Sequence, residues 1–355
     1  MKILSIIGAR PQFVKAAMVS REIALHPGMQ EILVHTGQHF DHNMSHLFFE
    51  EMGLREPDYN LGVHSLPHEE MVARMSEMLH DVIRNHKPDW VLVYGDTDST
   101  LSGARAAGRS KVPLCHVEAG LRSFNSAMQE EYNRIETDKV SDLLFAPTEV
   151  AVRNLLTEGV PEQRIVPTGD VMKDAAIHFA PLARAPQQNV PDKFILCTLH
   201  RAENVDDSNI LRMMMQTLEA ISRRISVVLP LHPRTRLNLQ RVGYDFPNSS
   251  IRFIDPVGYL EMLYLLQHSS LVMTDSGGLQ KEAYFFQKYC VTLREETEWI
   301  ELCQRGYNRL VGHDAGSISE AVNDFLQRNP FQENDLYGDG HTARLIVEAL
   351  RSATI

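Results

Sequence analysis

The sequence predicts an α/β protein made of two doubly wound, Rossmann-like halves. Three observations carry this. Short β-rich runs alternate with longer helical patterns along most of the chain. The runs are apolar throughout, the pattern of parallel strands covered on both faces. The length, 355 residues with 43% apolar, suits about two domains with real cores.

The first half opens on Met1-Lys2-Ile3-Leu4-Ser5-Ile6-Ile7-Gly8. This run ends in Gly8-Ala9-Arg10-Pro11 and lacks a small-residue cleavage site, so it reads as a core strand and not a signal peptide. Further strands are predicted at 32–36, 90–94, 113–117 and 143–146, with helices at 69–85 and 150–158. The rhythm breaks at 181–191, where Pro181, Pro186 and Pro191 interrupt any periodicity. That segment is expected to connect a half at 1–175 to a half at 190–340. The second half repeats the pattern, with strands at 194–199, 226–231, 251–254, 271–274 and 290–293 and helices at 210–223, 259–268 and 317–328. A last helix is expected at 341–350, within a terminal segment 341–355. No stretch nears the roughly 18 unbroken apolar residues of a membrane helix.

Lys and Arg total 35 and Asp and Glu 46, a net charge of −11. Nucleic acid demands a basic surface and is excluded as a default partner. Net charge speaks to bulk behaviour, so a local phosphate site stays open. Cys115, Cys197, Cys290 and Cys303 are scattered and form no CxxC pair, which fits buried free thiols in a reducing cytoplasm. His35, His39, His42 and His46 match neither zincin nor zinc-finger spacing, so they are read as loop and helix residues and no metal is expected.

In open α/β sheets, ligands bind beyond the carboxyl ends of the strands. The residues there are unusually polar. After the first strand, Arg10 in the turn and Lys15 in the next helix suit an anion, although the segment is not GxGxxG. Asp96 follows the strand at 90–94, Glu118 the strand at 113–117, and Glu130 stands in Gln129-Glu130-Glu131-Tyr132-Asn133-Arg134. Asp96 also suits a helix cap. Glu118, between a buried strand and a glycine, must be used or paired to offset its desolvation. Carboxylates on one rim suit general acid–base work. In the second half, His200-Arg201, His232-Pro-Arg234 and Asp275-Ser276-Gly277-Gly278 follow strands. Ser276, Gly277 and Gly278 opening a helix make a diphosphate cradle, with Glu282 one turn on for ribose hydroxyls.

Together these motifs resemble the non-hydrolysing UDP-N-acetylglucosamine 2-epimerases. The matching segments are residues 8–15, Thr36-Gly-Gln-His39, Tyr94-Gly-Asp-Thr97, His116-Val-Glu-Ala-Gly-Leu-Arg122, Glu130-Glu-Tyr-Asn-Arg134, Gly169-Asp170, His200-Arg-Ala-Glu-Asn204 and Thr274-Asp-Ser-Gly-Gly-Leu-Gln280. They occur in family order across nearly the whole chain. The resemblance implies two domains facing a central cleft, as in B-type glycosyltransferases, with the last helix crossing back to the first domain. It also implies a homodimer that inverts C2 of a UDP-sugar with no cofactor. It assigns Asp96, Glu118 and Glu130 as catalytic carboxylates, with Lys15, His200 and Arg10 near the leaving diphosphate. Ser276, Gly277 and Gly278 would hold the phosphates, Glu282 the ribose, and backbone near Met262 the uracil. Arg122, Arg134 and Lys281 are substrate-contact candidates.

The departures point to a branch. Members acting on UDP-GlcNAc usually carry Thr-Glu-Arg-Pro-Glu where this chain reads Thr297-Glu298-Trp299-Ile300-Glu301, and a glutamate where it has Lys281. The Glu-Trp version with Lys281 is similar to the branch acting on UDP-2,3-diacetamido-2,3-dideoxy-D-glucuronate for surface polysaccharide. Phe40 stands where many relatives have arginine, in a segment some use to bind an activating second UDP-GlcNAc. The alternatives are a UDP-GlcNAc epimerase, a hydrolysing epimerase releasing free sugar, a B-type glycosyltransferase, and a non-catalytic nucleotide-sugar binder. The three carboxylates of the first half speak against the transferase, which needs an acceptor groove there.

Overall fold

Each of the ten apolar runs is a strand in the computed structural model, which describes residues 1–39, 49 and 51–353. Phe40, His42 and His46 lie outside the described residues. The chain divides into two units: residues 1–178 with 335–355, and residues 179–334.

Unit 1 alternates strand and helix: β1 (Lys2–Ile7), α1 (Arg10–Ala24), β2 (Gln30–His35), β3 (Tyr59–Asn60), α2 (His68–His86), β4 (Trp90–Tyr94), α3 (Asp98–Ser110), β5 (Leu114–Val117), α4 (Gln129–Val140), β6 (Leu143–Ala146), α5 (Glu149–Thr157), β7 (Ile165–Pro167) and α6 (Val171–Phe179). The strands form one parallel sheet in the order β3-β2-β1-β4-β5-β6-β7. All five β4 residues are buried, as a central strand with helices on both faces requires. Helix α2 turns Val72, Met75, Leu79, Val82 and Ile83 inward, one face of a 3.6-residue period, against Leu4, Ile6, Val34 and Val93. The order reverses at β1, so the loops after β1 and β4 open at the switch point where ligands of such sheets bind.

Unit 2 repeats the design: β8 (Phe194–Thr198), α7 (Ala202–Val205), α8 (Ser208–Ser222), β9 (Ser226–Pro230), α9 (Pro233–Arg241), β10 (Arg252–Ile254), α10 (Tyr259–His268), β11 (Leu271–Thr274), α11 (Gly277–Phe285), β12 (Cys290–Thr292), α12 (Ile300–Gln304), β13 (Asn308–Leu310) and α13 (Ala315–Gln327). Its sheet is parallel in the order β10-β9-β8-β11-β12-β13, with the switch between β8 and β11. The proline-bearing segment 181–191 lies inside this unit.

The chain then returns to unit 1, where α14 (Thr342–Ser352) packs on α1 through Ile346, Val347 and Leu350. Asp174 fixes the start of α14 by accepting the Ala343 N–H at 2.7 Å, and the Tyr337 carbonyl accepts the Asp170 N–H at 3.0 Å. Strands β3, β7 and β13 were not expected from the sequence; at two or three residues they are too short to show a period. No helix among the described residues is long and apolar enough to cross a membrane.

Candidate active site

In unit 1 the rim after β1, β4 and β5 is tied together by side chains distant in sequence. Gln12, in the first turn of α1, accepts the Gly8 N–H at 2.7 Å and donates to the Tyr94 carbonyl at 2.7 Å, locking the β1 turn to the end of β4. One turn on, Lys15 is 4% exposed and pairs with Glu118, 9% exposed. A buried charge pair of this kind leaves either group costly to remove alone. Glu118 sits in left-handed backbone, φ 75°, a conformation disfavoured for non-glycine residues and found often at functional sites. Gly95 (φ 64°) lies over the pair: a Cβ there would be 3.3 Å from Lys15 Nζ and 3.5 Å from Glu118 Oε1.

Asp96, next in the chain, is paired with Arg134, itself 2% exposed. Arg134 also donates to Glu131 Oε2 at 2.7 Å. Glu131 accepts the backbone N–H groups of Ser123 (2.9 Å) and Phe124 (3.0 Å), so the second glutamate of this motif is a structural brace. Glu130 is exposed in the first turn of α4, with its carboxylate at the positive end of the helix dipole. Arg10 is partly exposed at the start of α1, where its backbone N–H donates to His39 Nδ1 at 3.3 Å. Burial, and next the Arg10 charge, lower His39 to about 4.

Arg122 stands apart from this chemistry. It is 2% exposed and forms a bidentate pair with Glu158 (both 2.7 Å) and a 2.8 Å pair with Asp138. Asp138 in turn holds His116 Nδ1 at 2.7 Å, while His116 Nε2 meets the Gly95 carbonyl at 2.6 Å. Burial would raise the Asp138 carboxyl, but His116 and Arg122 hold it below the usual carboxylate range. This network supports the rim from beneath and leaves no guanidinium edge for a sugar.

In unit 2 the rim is organised by Asp275, fully buried just after β11. Its Oδ2 accepts the backbone N–H groups of His200 and Arg201, each at 2.8 Å, and Oδ1 lies 2.8 Å from His200 Nδ1. Burial works to raise this carboxyl, but those partners outweigh it and hold it below its ordinary value. His200 Nδ1 thus faces Asp275, and its ring packs 5.7 Å from that of His232. Ser276 precedes Gly277 and Gly278, the first residues of α11. A Cβ on Gly277 would lie 2.5 Å from Glu298 Oε1, whereas one on Gly278 meets nothing within 4 Å. The backbone at Gly278 is therefore open to a close ligand, and the helix dipole favours an anion there. Glu282 is 6% exposed in the next turn. Met262 lies in the first turn of α10, its N–H already donated to the Gly258 carbonyl at 3.0 Å.

Lys281 is 1% exposed, and its ammonium sits 3.9 Å from the centre of the Trp299 ring. The two residues that mark the branch in the sequence thus touch each other in the fold, a cation–π contact in a desolvated place. Sequence reasoning placed Asp275 after its strand but gave it no role; its signal is a carboxylate directly after a buried strand, as for Glu118. Sequence reasoning missed Arg294, 2% exposed after β12, which donates to Glu298 at 3.0 Å. Among the described residues no group of three or more His, Cys, Asp or Glu side chains is placed to hold a metal ion.

Residues 21–351 match the family model described as UDP-N-acetylglucosamine 2-epimerase. The chain belongs to the UDP-N-acetylglucosamine 2-epimerase family. This epimerase is an isomerase by family, and its two units have the glycosyltransferase-B type of fold. It is 52% identical over 354 residues to the UDP-2,3-diacetamido-2,3-dideoxy-D-glucuronate 2-epimerase of Pseudomonas aeruginosa, covering 99% of each chain. It superposes on the Methanocaldococcus jannaschii UDP-GlcNAc 2-epimerase, solved with UDP-GlcNAc and UDP, with a TM-score of 0.91 at 38% identity, over 99% of this chain and 100% of the other. On the Neisseria meningitidis UDP-GlcNAc 2-epimerase bound to UDP-GlcNAc the TM-score is 0.89 at 30% identity, over 99% and 100% of the two chains.

Proposed function

We propose that this epimerase inverts C2 of UDP-2,3-diacetamido-2,3-dideoxy-D-glucuronate without hydrolysis, giving the manno form for surface polysaccharide. The observation that carries this substrate is the 52% identity, end to end, to the Pseudomonas aeruginosa enzyme named for it, together with the Lys281–Trp299 contact that replaces the Glu and Arg usual in members acting on UDP-GlcNAc. The homodimer implied by the family resemblance belongs to the same proposal.

The chemistry explains the residues. The C2–H of a 2-acetamido sugar is not acidic, because no carbonyl adjoins it in the ring. When UDP departs from C1, an oxocarbenium-like centre forms and a base can take the C2 proton, leaving a 2-acetamidoglucal and UDP. Return of UDP to C1, with a proton delivered to C2 from the other face, completes the inversion. Groups are needed on both faces, and Asp96, Glu118 and Glu130 of unit 1 supply them. Lys15 and Arg134 pair with two of these carboxylates and orient them. Ser276, Gly277, Gly278 and the α11 dipole hold the diphosphate, with Arg10 and His200 offsetting its charge as it leaves. Glu282 takes the ribose and the start of α10, near Met262, the uracil.

The test is incubation with this UDP-sugar, or with UDP-GlcNAc, in deuterated water, followed by NMR. Deuterium at C2 and a UDP-linked manno product from the diacetamido-glucuronate are expected. Free sugar would indicate hydrolysis, preference for UDP-GlcNAc would reassign the substrate, and bound UDP with no exchange at C2 would refute catalysis.

A further inference from the structure

The loop after β4 carries a second carboxylate that the acid–base set does not use. Asp98 opens α3, but the cap of that helix is Thr97, whose side chain accepts the Thr100 N–H. Asp98 is instead 6% exposed, and three donors converge on its Oδ1: Gln129 Nε2 at 2.8 Å, His68 Nδ1 at 2.9 Å and Asn133 Nδ2 at 3.1 Å. His68 and Gln129 also touch each other. His68, Asp98 and Gln129 are the first residues of α2, α3 and α4, so one carboxylate oxygen joins three helix starts. Neither Pro67 before α2 nor Met128 before α4 provides a side-chain cap. Asn133 Nδ2 is shared with the Asp96 carbonyl at 3.0 Å, which ties the cluster to the loop bearing a proposed catalytic carboxylate.

Glu130 sits between two anchored neighbours. On one side Gln129 is held by Asp98, which His68 also grips; on the other Glu131 is held by Ser123, Phe124 and Arg134. An exposed carboxylate must be held to a fraction of an ångström to move a proton on schedule, and among the described residues Glu130 makes no contact of its own that does this. A buried carboxylate costs desolvation, offset here by the donors that fix the helix starts.

We propose that His68 and Asp98 form a positioning pair that grips Gln129 and thereby aims Glu130. The inference rests on the acid–base reading of Glu130 given above. Gln129→Glu keeps the shape of the side chain but sets a carboxylate against Asp98. Asp98→Asn in that background offers an amide N–H to the new carboxylate and restores the contact. Gln129→Glu is expected to lower kcat about tenfold or more, beyond what any fall in Tm accounts for, while KM and UDP affinity stay near wild type, and the Asp98→Asn/Gln129→Glu double variant to recover most of the loss. His68→Ala should lower kcat in the same way, with His68→Gln, which keeps a donor, intermediate. A loss of kcat that only tracks the loss of Tm across the variants, as a structural role alone gives, or a double variant that recovers no kcat, overturns the proposal. Glu130→Gln is the reference. If it retains wild-type kcat, the role of Glu130 itself fails; if it is inactive while Gln129→Glu is unaffected, only the positioning pair fails.

Discussion

Replacing Lys281 with glutamate tests whether the branch-marking residues are a packed pair. In the wild type the ammonium lies 3.9 Å from the Trp299 ring centre, with Lys281 1% and Trp299 3% exposed. A desolvated cation–π contact contributes about 2 kcal/mol. Lys281→Glu removes it and leaves a buried carboxylate against an aromatic face, which costs about 3 kcal/mol even at the low end for an unpaired internal charge. The sum, about 5 kcal/mol, is a large share of the stability of a domain. At roughly 2–4 °C per kcal/mol, the melting of unit 2 should fall by on the order of 10–20 °C. Trp299→Arg alone sets two cations together and should also destabilise. The double variant Lys281→Glu/Trp299→Arg forms an ion pair in the same place and should melt above either single variant. Thermal unfolding followed by far-UV circular dichroism reads all four proteins. A single variant within about 1 kcal/mol of wild type, or a double variant as unstable as the two losses added, would refute the pairing.

Three further outcomes follow from the rims. Asp96→Asn and Glu118→Gln should each lower turnover by at least about two orders of magnitude, and near-normal rates in both would contradict the acid–base assignment. Gly278→Ala meets no neighbour within 4 Å and should keep the wild-type Tm while weakening UDP binding, whereas Gly277→Ala, whose Cβ meets Glu298 at 2.5 Å, should lose both; calorimetric titration with UDP separates them. Burial, and next the nearby His39, lower His35 from 6.5 to about 4. The folded protein then binds fewer protons than the unfolded chain between these values, so stability is intact above pH 6.5 and falls as pH drops to about 4. The gap corresponds to about 3 kcal/mol. His35→Asn, which can still accept the Gly37 N–H, should flatten that part of the pH–stability curve, and an unchanged slope would count against the cause given.

Much of the fold was legible because parallel strands buried on both faces leave unbroken apolar runs, and the residues ending those runs mark the rim. Glu118, Asp96 and Ser276 were visible for that reason. Partnership was not visible. Lys15 and Glu118 are 103 residues apart, and nothing local to either says that they meet. Nor does the motif Glu130-Glu131 tell which glutamate is the exposed one; that follows from where the Ser123 and Phe124 N–H groups point. The resemblance offers Arg122 as a substrate contact, yet Asp138 and Glu158 take up its guanidinium. Short edge strands escape for a different reason: three residues bury too little to impose a pattern.

The return of residues 335–353 to unit 1 makes unit 2 an insertion within unit 1's chain. During synthesis, unit 2 can close its sheet while the α1 face that α14 packs on still stands open. Unit 1, made first, is therefore finished last, and for the time needed to translate some 150 residues its apolar α1 surface has only solvent or chaperone for cover.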